Sequence, residues 1–153
     1  RLRGRLPQAH AEERAERQQL ITDSITIEDQ SVLVQYPILD MNEIKHAFDG
    51  DPTTLIRTLE ANPLKLILNF PEPIQISEVT AMIGGTPTRV SASAYYRGEE
   101  IETISSDVEG AITTRNVLLT FTQPYLADEL RLEILNIYDG EIAHVHLWEV
   151  SFK

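Results

Sequence analysis

The 153-residue sequence contains no cysteine, a single tryptophan, and thirteen basic residues against twenty-four acidic ones. Without cysteine there is no disulfide framework, no thiolate zinc site and no cysteine nucleophile. No stretch of about 18 consecutive apolar residues occurs, which excludes a transmembrane helix within this sequence. The shortage of positive charge is uneven. Residues 1–20 carry five Arg and three Glu, whereas residues 21–153 carry eight Lys and Arg against twenty-one Asp and Glu. A body with net charge −13 does not offer the cationic face that a phosphate backbone requires, so no nucleic-acid partner is expected.

Signatures of catalysis are also missing. There is no Gly-x-Ser-x-Gly nucleophile elbow and no Cys/His pair. Gly84-Gly85-Thr86 lacks the Lys and the following helix of a phosphate cradle. Paired carboxylates arise by chance in so acidic a chain, and His144 and His146 lack the third ligand of a zinc site. The sequence therefore reads as that of a protein that is not an enzyme.

What is present suits one β-rich domain. Hydrophobic residues make up 42% of the chain, enough for a core at this length. The basic opening, residues 1–25, reads as a linker or helical extension, with Pro7 at a favoured first helical position and Glu13 four residues before Arg17. Its apolar stripe is too thin to pack on a core. The chain starts at Arg1 without a signal-peptide core. A larger parent chain upstream is expected, secreted or membrane-anchored, hence extracytoplasmic.

The sandwich domain is read as residues 26–153, and from about residue 31 the dominant period is two, the mark of half-buried strands. Val32, Val34 and Tyr36 alternate, as do Leu64, Leu66, Leu68 and Phe70, and then Val90, Ala92, Ala94 and Tyr96. Pro71-Glu72-Pro73 is read as the end of one strand, before a strand through Ile74, Ile76, Val79 and Met82. Ile101–Ile104 is read as a short strand, and Pro124 as part of a loop between strands 116–122 and 130–137. On the last strand strict alternation puts Val145, Leu147, Glu149 and Ser151 on one face and His144, His146, Trp148 and Val150 on the other. Met41–Phe48 is the one helical turn. About eight strands at this spacing predict an antiparallel jelly-roll β-sandwich.

The segment Ala47-Phe48-Asp49-Gly50-Asp51-Pro52-Thr53-Thr54 concentrates oxygen donors in a tight turn. Taken alone, Asp-Gly-Asp-Pro is a common surface-turn sequence. Its spacing is not that of an EF-hand. Ala47-x-Asp49-Gly50-Asp51-x-x-Thr54, the strand ending Asn69-Phe70-Pro71-Glu72-Pro73, Ile76-x-x-Val79 and the terminal Ala143-His144-Val145-His146-Leu147-Trp148-Glu149-Val150 together resemble the discoidin family. This family is also called coagulation factor type C, and it includes galactose-binding-like carbohydrate-binding modules. Ile56 departs from it, standing where the family usually carries Trp.

The resemblance implies a structural calcium ion held by the His46 carbonyl, the Asp49 side chain, the Asp51 carbonyl, Thr54 through carbonyl and hydroxyl, the Trp148 carbonyl and the Glu149 carboxylate. Calcium takes six to eight oxygens, which such a set supplies. It also implies a non-catalytic carbohydrate-binding role at the loops of one end. The positions offered there are Arg57, Glu60, Asn62, Arg89, Tyr138 and Asp139. The alternative is a structural or protein-interaction domain that keeps the scaffold without a sugar site. Direct lipid binding is not expected, because the hairpin tips Gly84–Pro87 and Arg97–Glu100 carry no large apolar spike and the body is acidic.

Overall fold

The computed structural model describes residues 19–138 and 144–153. Nine strands form: β1 (Leu20–Ile27), β2 (Gln30–Pro37), β3 (Leu39–Met41), β4 (Ile56–Thr58), β5 (Leu64–Ile83), β6 (Thr88–Tyr96), β7 (Glu99–Val108), β8 (Arg115–Asn136) and β9 (His146–Phe152). A short 3-10 helix, Ile44–Phe48, lies between β3 and β4. Among the described residues no helix is long and apolar enough to cross a membrane.

Two strands create the sandwich. β5 and β8 run for 20 and 22 residues, several times the usual strand of about 5–6, because each turns a corner and serves both layers. Residues 64–69 of β5 pair with residues 129–134 of β8 and, on the other side, with β2. Residues 78–83 of β5 pair instead with residues 115–120 of β8, while residues 79–83 also pair with β9. One layer is thus β1-β2-β5-β8-β6-β7 and the other β3-β4-β9-β5-β8, all antiparallel. The register shifts at the β5 corner, between Asn69 and Ile74 and again between Ile76 and Glu78.

The prolines read as strand ends sit at these bends. Pro71, Pro73 and Pro124 are exposed, where a missing N–H costs no ladder bond inside a layer. The expected pairs of separate strands are therefore two continuous, bent ones. β7 is also longer than Ile101–Ile104, because Glu99–Val108, apart from the bulged Ile101, pairs along the edge of β6. At the other end of the same layer, β1 pairs with β2 from Leu20 to Ile27, so the sandwich takes in residues ahead of the boundary read at residue 26. Residues 1–18 of the basic extension lie outside the described residues.

The alternation places one apolar row per strand into the space between layers. Leu64, Leu66, Leu68, Val90, Ala92, Ala94, Leu130, Leu132 and Ile134 face Val79, Ala81, Ile83, Val117, Leu119 and Phe121. Burying each Leu or Ile contributes about 1.5–3 kcal/mol. Ile56, in place of the family's Trp, is fully buried and belongs to this core. In β9 the strict alternation fails. Leu147 pairs with Ile83 and Glu149 with Met82, so Trp148 is an extra residue without a ladder partner on β5. This bulge returns Val150 to the core at 3% exposure, opposite Ala81, and leaves Glu149 off the face it was expected to share with Leu147.

Candidate functional site

The register places the ends of β5, β6 and β8 together, since Leu64 pairs with Ile134, Thr88 with Asn136, and Ile83 with Arg115. The connections leaving these residues meet at one end of the sandwich. Between them lies a cavity of about 270 Å³. Its lining includes Gly84, Thr86, Thr88, Asn136, His144, His146 and Trp148.

Trp148 and His146 form the aromatic wall. Their rings are 6.2 Å apart and inclined by 27°. Gly84 lies against the indole so closely that an added Cβ would be 3.3 Å from Cζ3. The facing wall is clamped from behind. Arg115 donates through Nη2 to the Gly84 and Thr86 carbonyls, each at 2.8 Å, and through Nη1 to the Glu109 carbonyl. Ala111 N–H donates to the Gly85 carbonyl at 2.8 Å, and a Cβ on Gly85 would stand 2.2 Å from the Ala111 oxygen. The wall loop is thus fixed by backbone contacts that only glycine permits at position 85.

Polar groups of the cavity are equally well fixed. His144 Nδ1 lies 2.8 Å from the Thr58 carbonyl, which only accepts, so Nδ1 carries a proton and this bond fixes the ring. Thr58 is itself fully buried and ties this stretch down, donating to the Ala61 carbonyl and accepting from Val145 N–H. The Asn136 side-chain oxygen is buried without a partner in the protein. An acceptor in that state is costly unless a ligand hydroxyl or water reaches it.

The positions expected for sugar binding divide. Asn62 is brought to this end, but its amide spans to Asn136, donating to the carbonyl and accepting from the N–H, both at 2.9 Å. Glu60 sits half-buried in the same loop. Arg57 is held by Asp40 through two hydrogen bonds of 2.7 and 3.0 Å, and its guanidinium keeps the Asp40 carboxyl below the usual range. Arg89 is not brought to the cavity: Thr88 and Val90 point inward, so Arg89 points outward and pairs with Asp107 at 2.6 and 3.0 Å. Tyr138 is 75% exposed, and Asp139 lies outside the described residues. The aromatic wall was hidden in the sequence, because the bulge at Trp148 breaks the alternation that assigns faces.

The acidic loop forms a second locus. Gly50, at φ +76°, reverses the chain between Asp49 and Asp51. Asp49 accepts from Asp51 N–H at 2.9 Å and from the Thr54 hydroxyl at 3.2 Å. Asp51 accepts from Thr53, and its carbonyl accepts from the Thr54 hydroxyl at 3.2 Å. His46 turns its ring back to Glu43, accepting from its N–H, so only its carbonyl is directed elsewhere. Glu149 of β9 reaches this loop, and its carboxyl lies beside that of Asp49. Burial, reinforced by Asp49, pushes the Glu149 carboxyl up to about 7, against an opposing influence of the Gly50 and Asp51 backbone. One Glu149 oxygen is buried with no partner. Among the described residues no three His, Asp or Glu side chains converge on one point. The expected calcium set does not need them, since most of its oxygens are carbonyls and a hydroxyl.

Neither a protein-family model nor a curated protein matches the sequence. Solved structures do. The family 32 carbohydrate-binding module of C. perfringens NanJ, in complex with galactose, aligns with a TM-score of 0.63 at 18% identity, covering 86% of this chain and 98% of that one. The family 32 module of AlyQ, in complex with 4,5-unsaturated mannuronic acid, aligns equally well, with the same TM-score, identity and coverage. The second family 32 module of a GH31 protein, bound to GalNAc, aligns at 0.58 and 15% identity over 80% of this chain and 97% of its own. The chain therefore shares the antiparallel β-sandwich fold of these modules, the fold that the sequence resemblance implied.

Proposed function

We propose that this chain is a non-catalytic carbohydrate-binding module of a larger extracytoplasmic protein, its scaffold pinned by calcium. The observation that carries the reading is the end cavity, which combines the stacked rings of His146 and Trp148 with polar side chains in one lining. The C–H face of a sugar packs on Trp148, while its hydroxyls meet polar side chains of the lining, Thr86, Asn136 and His144 among them. Such a combination of one apolar wall and a few fixed polar groups is what small-ligand sites share. Family 32 modules of the same fold, solved with sugars, support the class of ligand.

Calcium fits the acidic loop. Asp49 and Glu149 approach closely enough to share a proton, and a divalent cation satisfies both along with the buried orphan oxygen of Glu149. The Asp51 carbonyl and Thr54 hydroxyl already face each other beside Asp49, and the His46 and Trp148 carbonyls complete the proposed set. The ion would neutralise these carboxylates and join the loop after the 3-10 helix to the last strand.

The test is calorimetric titration with a panel of monosaccharides. Binding by the wild type that falls at least about tenfold in Trp148→Ala, with an unchanged melting temperature, upholds the reading. No binding to any glycan at millimolar concentration overturns it. A protein-interaction role is the second reading. It is favoured by Ile112, Ile137 and Tyr138, three exposed apolar side chains on the loops around Gly85 and Pro87.

A further inference from the structure

The layer β1-β2-β5-β8-β6-β7 ends in two strands of very different character. A strand at the edge of a sheet presents a row of backbone N–H and C=O groups to which another strand can pair. β7 is guarded against this. Glu99, Glu100, Glu102 and Asp107 put four charges on its ten residues, and Ile101 is bulged out of the ladder. β1 carries one charge only, Asp23, within LITDSITI, and five of its eight residues are β-branched. It pairs with β2 without a register shift, and among the described residues no strand pairs along its other side.

Beside β1 lies a groove of about 490 Å³, a size within the range of binding sites, and it shares no lining residue with the end cavity. Ile21, Asp23 and Ile25 stand opposite Tyr36, Val34 and Val32 in the ladder, all three buried, so these β1 side chains belong to the inner face. They are only partly covered there, with Ile21 45% exposed, and they line the groove together with Ile38, Leu39 and Ile44. The Tyr36 phenol donates to Asp23 and holds that carboxylate between the two isoleucines. Glu43 adds a second carboxylate to the lining. The one basic side chain of the lining, Lys45, is already paired with Glu43 at 3.2 Å.

We propose that β1 is a docking edge for an extended peptide segment of another chain, which joins the layer as a further strand. The segment carries a basic residue at one inward position and branched aliphatic residues two positions to either side. In strand addition the main chain supplies affinity and alternate side chains supply specificity. An added strand sends every second side chain to the inner face, in step with Ile21, Asp23 and Ile25. Aliphatic side chains there pack on the two isoleucines, and a guanidinium or ammonium group between them meets Asp23 as an opposite-charge cross-strand pair. An acidic residue at the same position meets Asp23 and Glu43 and is rejected. The net charge of −13 on residues 21–153 draws in a cationic segment and opposes a second copy of this chain.

The probe is a fluorescently labelled peptide, Ser-Ile-Thr-Arg-Thr-Ile-Ser, titrated by anisotropy with the full chain at neutral pH. It is expected to bind at least about tenfold more tightly than the same peptide with Glu in place of Arg. Asp23→Asn keeps an acceptor for the Tyr36 phenol and is expected to cut that preference to about threefold or less, with an unchanged melting temperature. Two N-methylated peptides read the backbone pairing, one methylated at Ile and Arg and the other at Thr. Successive N–H groups of a strand point to opposite edges, so one form is expected to lose binding and the other to keep it. Binding lost in both forms or in neither overturns the strand addition, as does equal binding of the Arg and Glu peptides. No binding at millimolar peptide overturns it too, whether the edge is then held by a second copy, seen as a dimer in sedimentation, or by the chain's own residues 1–18. None of these outcomes bears on the carbohydrate reading, which rests on the other cavity.

Discussion

The carboxyls of Asp49 and Glu149 lie beside each other, although one belongs to the first long loop and the other to the last strand. Two carboxylates in contact are tolerated while a proton sits between them, which is why burial and Asp49 together hold the Glu149 carboxyl near 7. A cation taking that proton's place ties the chain's two ends into one structure.

The first prediction concerns that pair. Calcium is expected to raise the melting temperature of the wild type, and a chelator to lower it again, by linkage of binding to folding. Glu149→Gln removes one of the facing charges, so the metal-free variant is expected to melt no lower than the metal-free wild type. It is also expected to lose the calcium response. Thermal melts of both proteins, with calcium and with chelator, check this; an unchanged wild-type melt on chelation would remove calcium from the account.

A second prediction concerns alkaline pH. Tyr36 is 6% exposed, and burial together with its hydrogen bond to Asp23 pushes the phenol up to about 12. Its pKa is raised above the ordinary value of 10.0, so the folded state holds the proton more tightly than the unfolded one. The stability this contributes is full below pH 10 and is lost as pH rises towards 12. Tyr36→Phe is expected to flatten this alkaline loss while costing about 1 kcal/mol at neutral pH. Urea midpoints measured at about pH 8 and about pH 11 separate the two effects.

The wall loop gives a third. In Gly85→Ala the new methyl meets the Ala111 carbonyl at 2.2 Å, so the two loops must part and their hydrogen bond is lost. The expected cost is about 1–3 kcal/mol of stability, with weakened sugar binding. Gly84→Ala is milder, because its methyl meets the indole edge at 3.3 Å and Trp148 can tilt. It should perturb binding more than stability. Denaturation and calorimetry on both variants test the contrast.

Arg115 supplies the fourth. Its guanidinium satisfies three carbonyls of the two loops behind the cavity, and hydrogen bonds to a charged group are worth about 1.5–3 kcal/mol. Arg115→Met leaves those carbonyls to water and frees the wall. Sugar affinity is expected to fall by about tenfold even though Arg115 does not line the cavity. Hydrogen exchange should speed up at Ala111, whose N–H bonds to Gly85, while the β5 core stays protected.

The strands at 64–70 and 90–96 were legible because one face of each is fully buried, and burial writes alternation into sequence. β1 was not, for a structural reason. Its inner face runs past the opposite layer, so Ile21 is 45% exposed and Asp23 stands where an apolar residue would otherwise be needed. The corners at Pro71–Pro73 and Pro124 carry the composition of strand ends because their backbone faces water. The acidic loop could be read as a unit since its oxygens come mostly from one short segment. The sugar cavity could not, because Gly84, Asn136, His144 and Trp148 meet only through ladder register and a bulge.

The two bent strands bear on how the molecule comes apart. β5 and β8 each contribute one half to either layer, so neither layer can detach while the other remains whole. Partial melting of a single sheet has no separate intermediate to reach. The described β-sandwich is therefore expected to unfold globally as one cooperative unit.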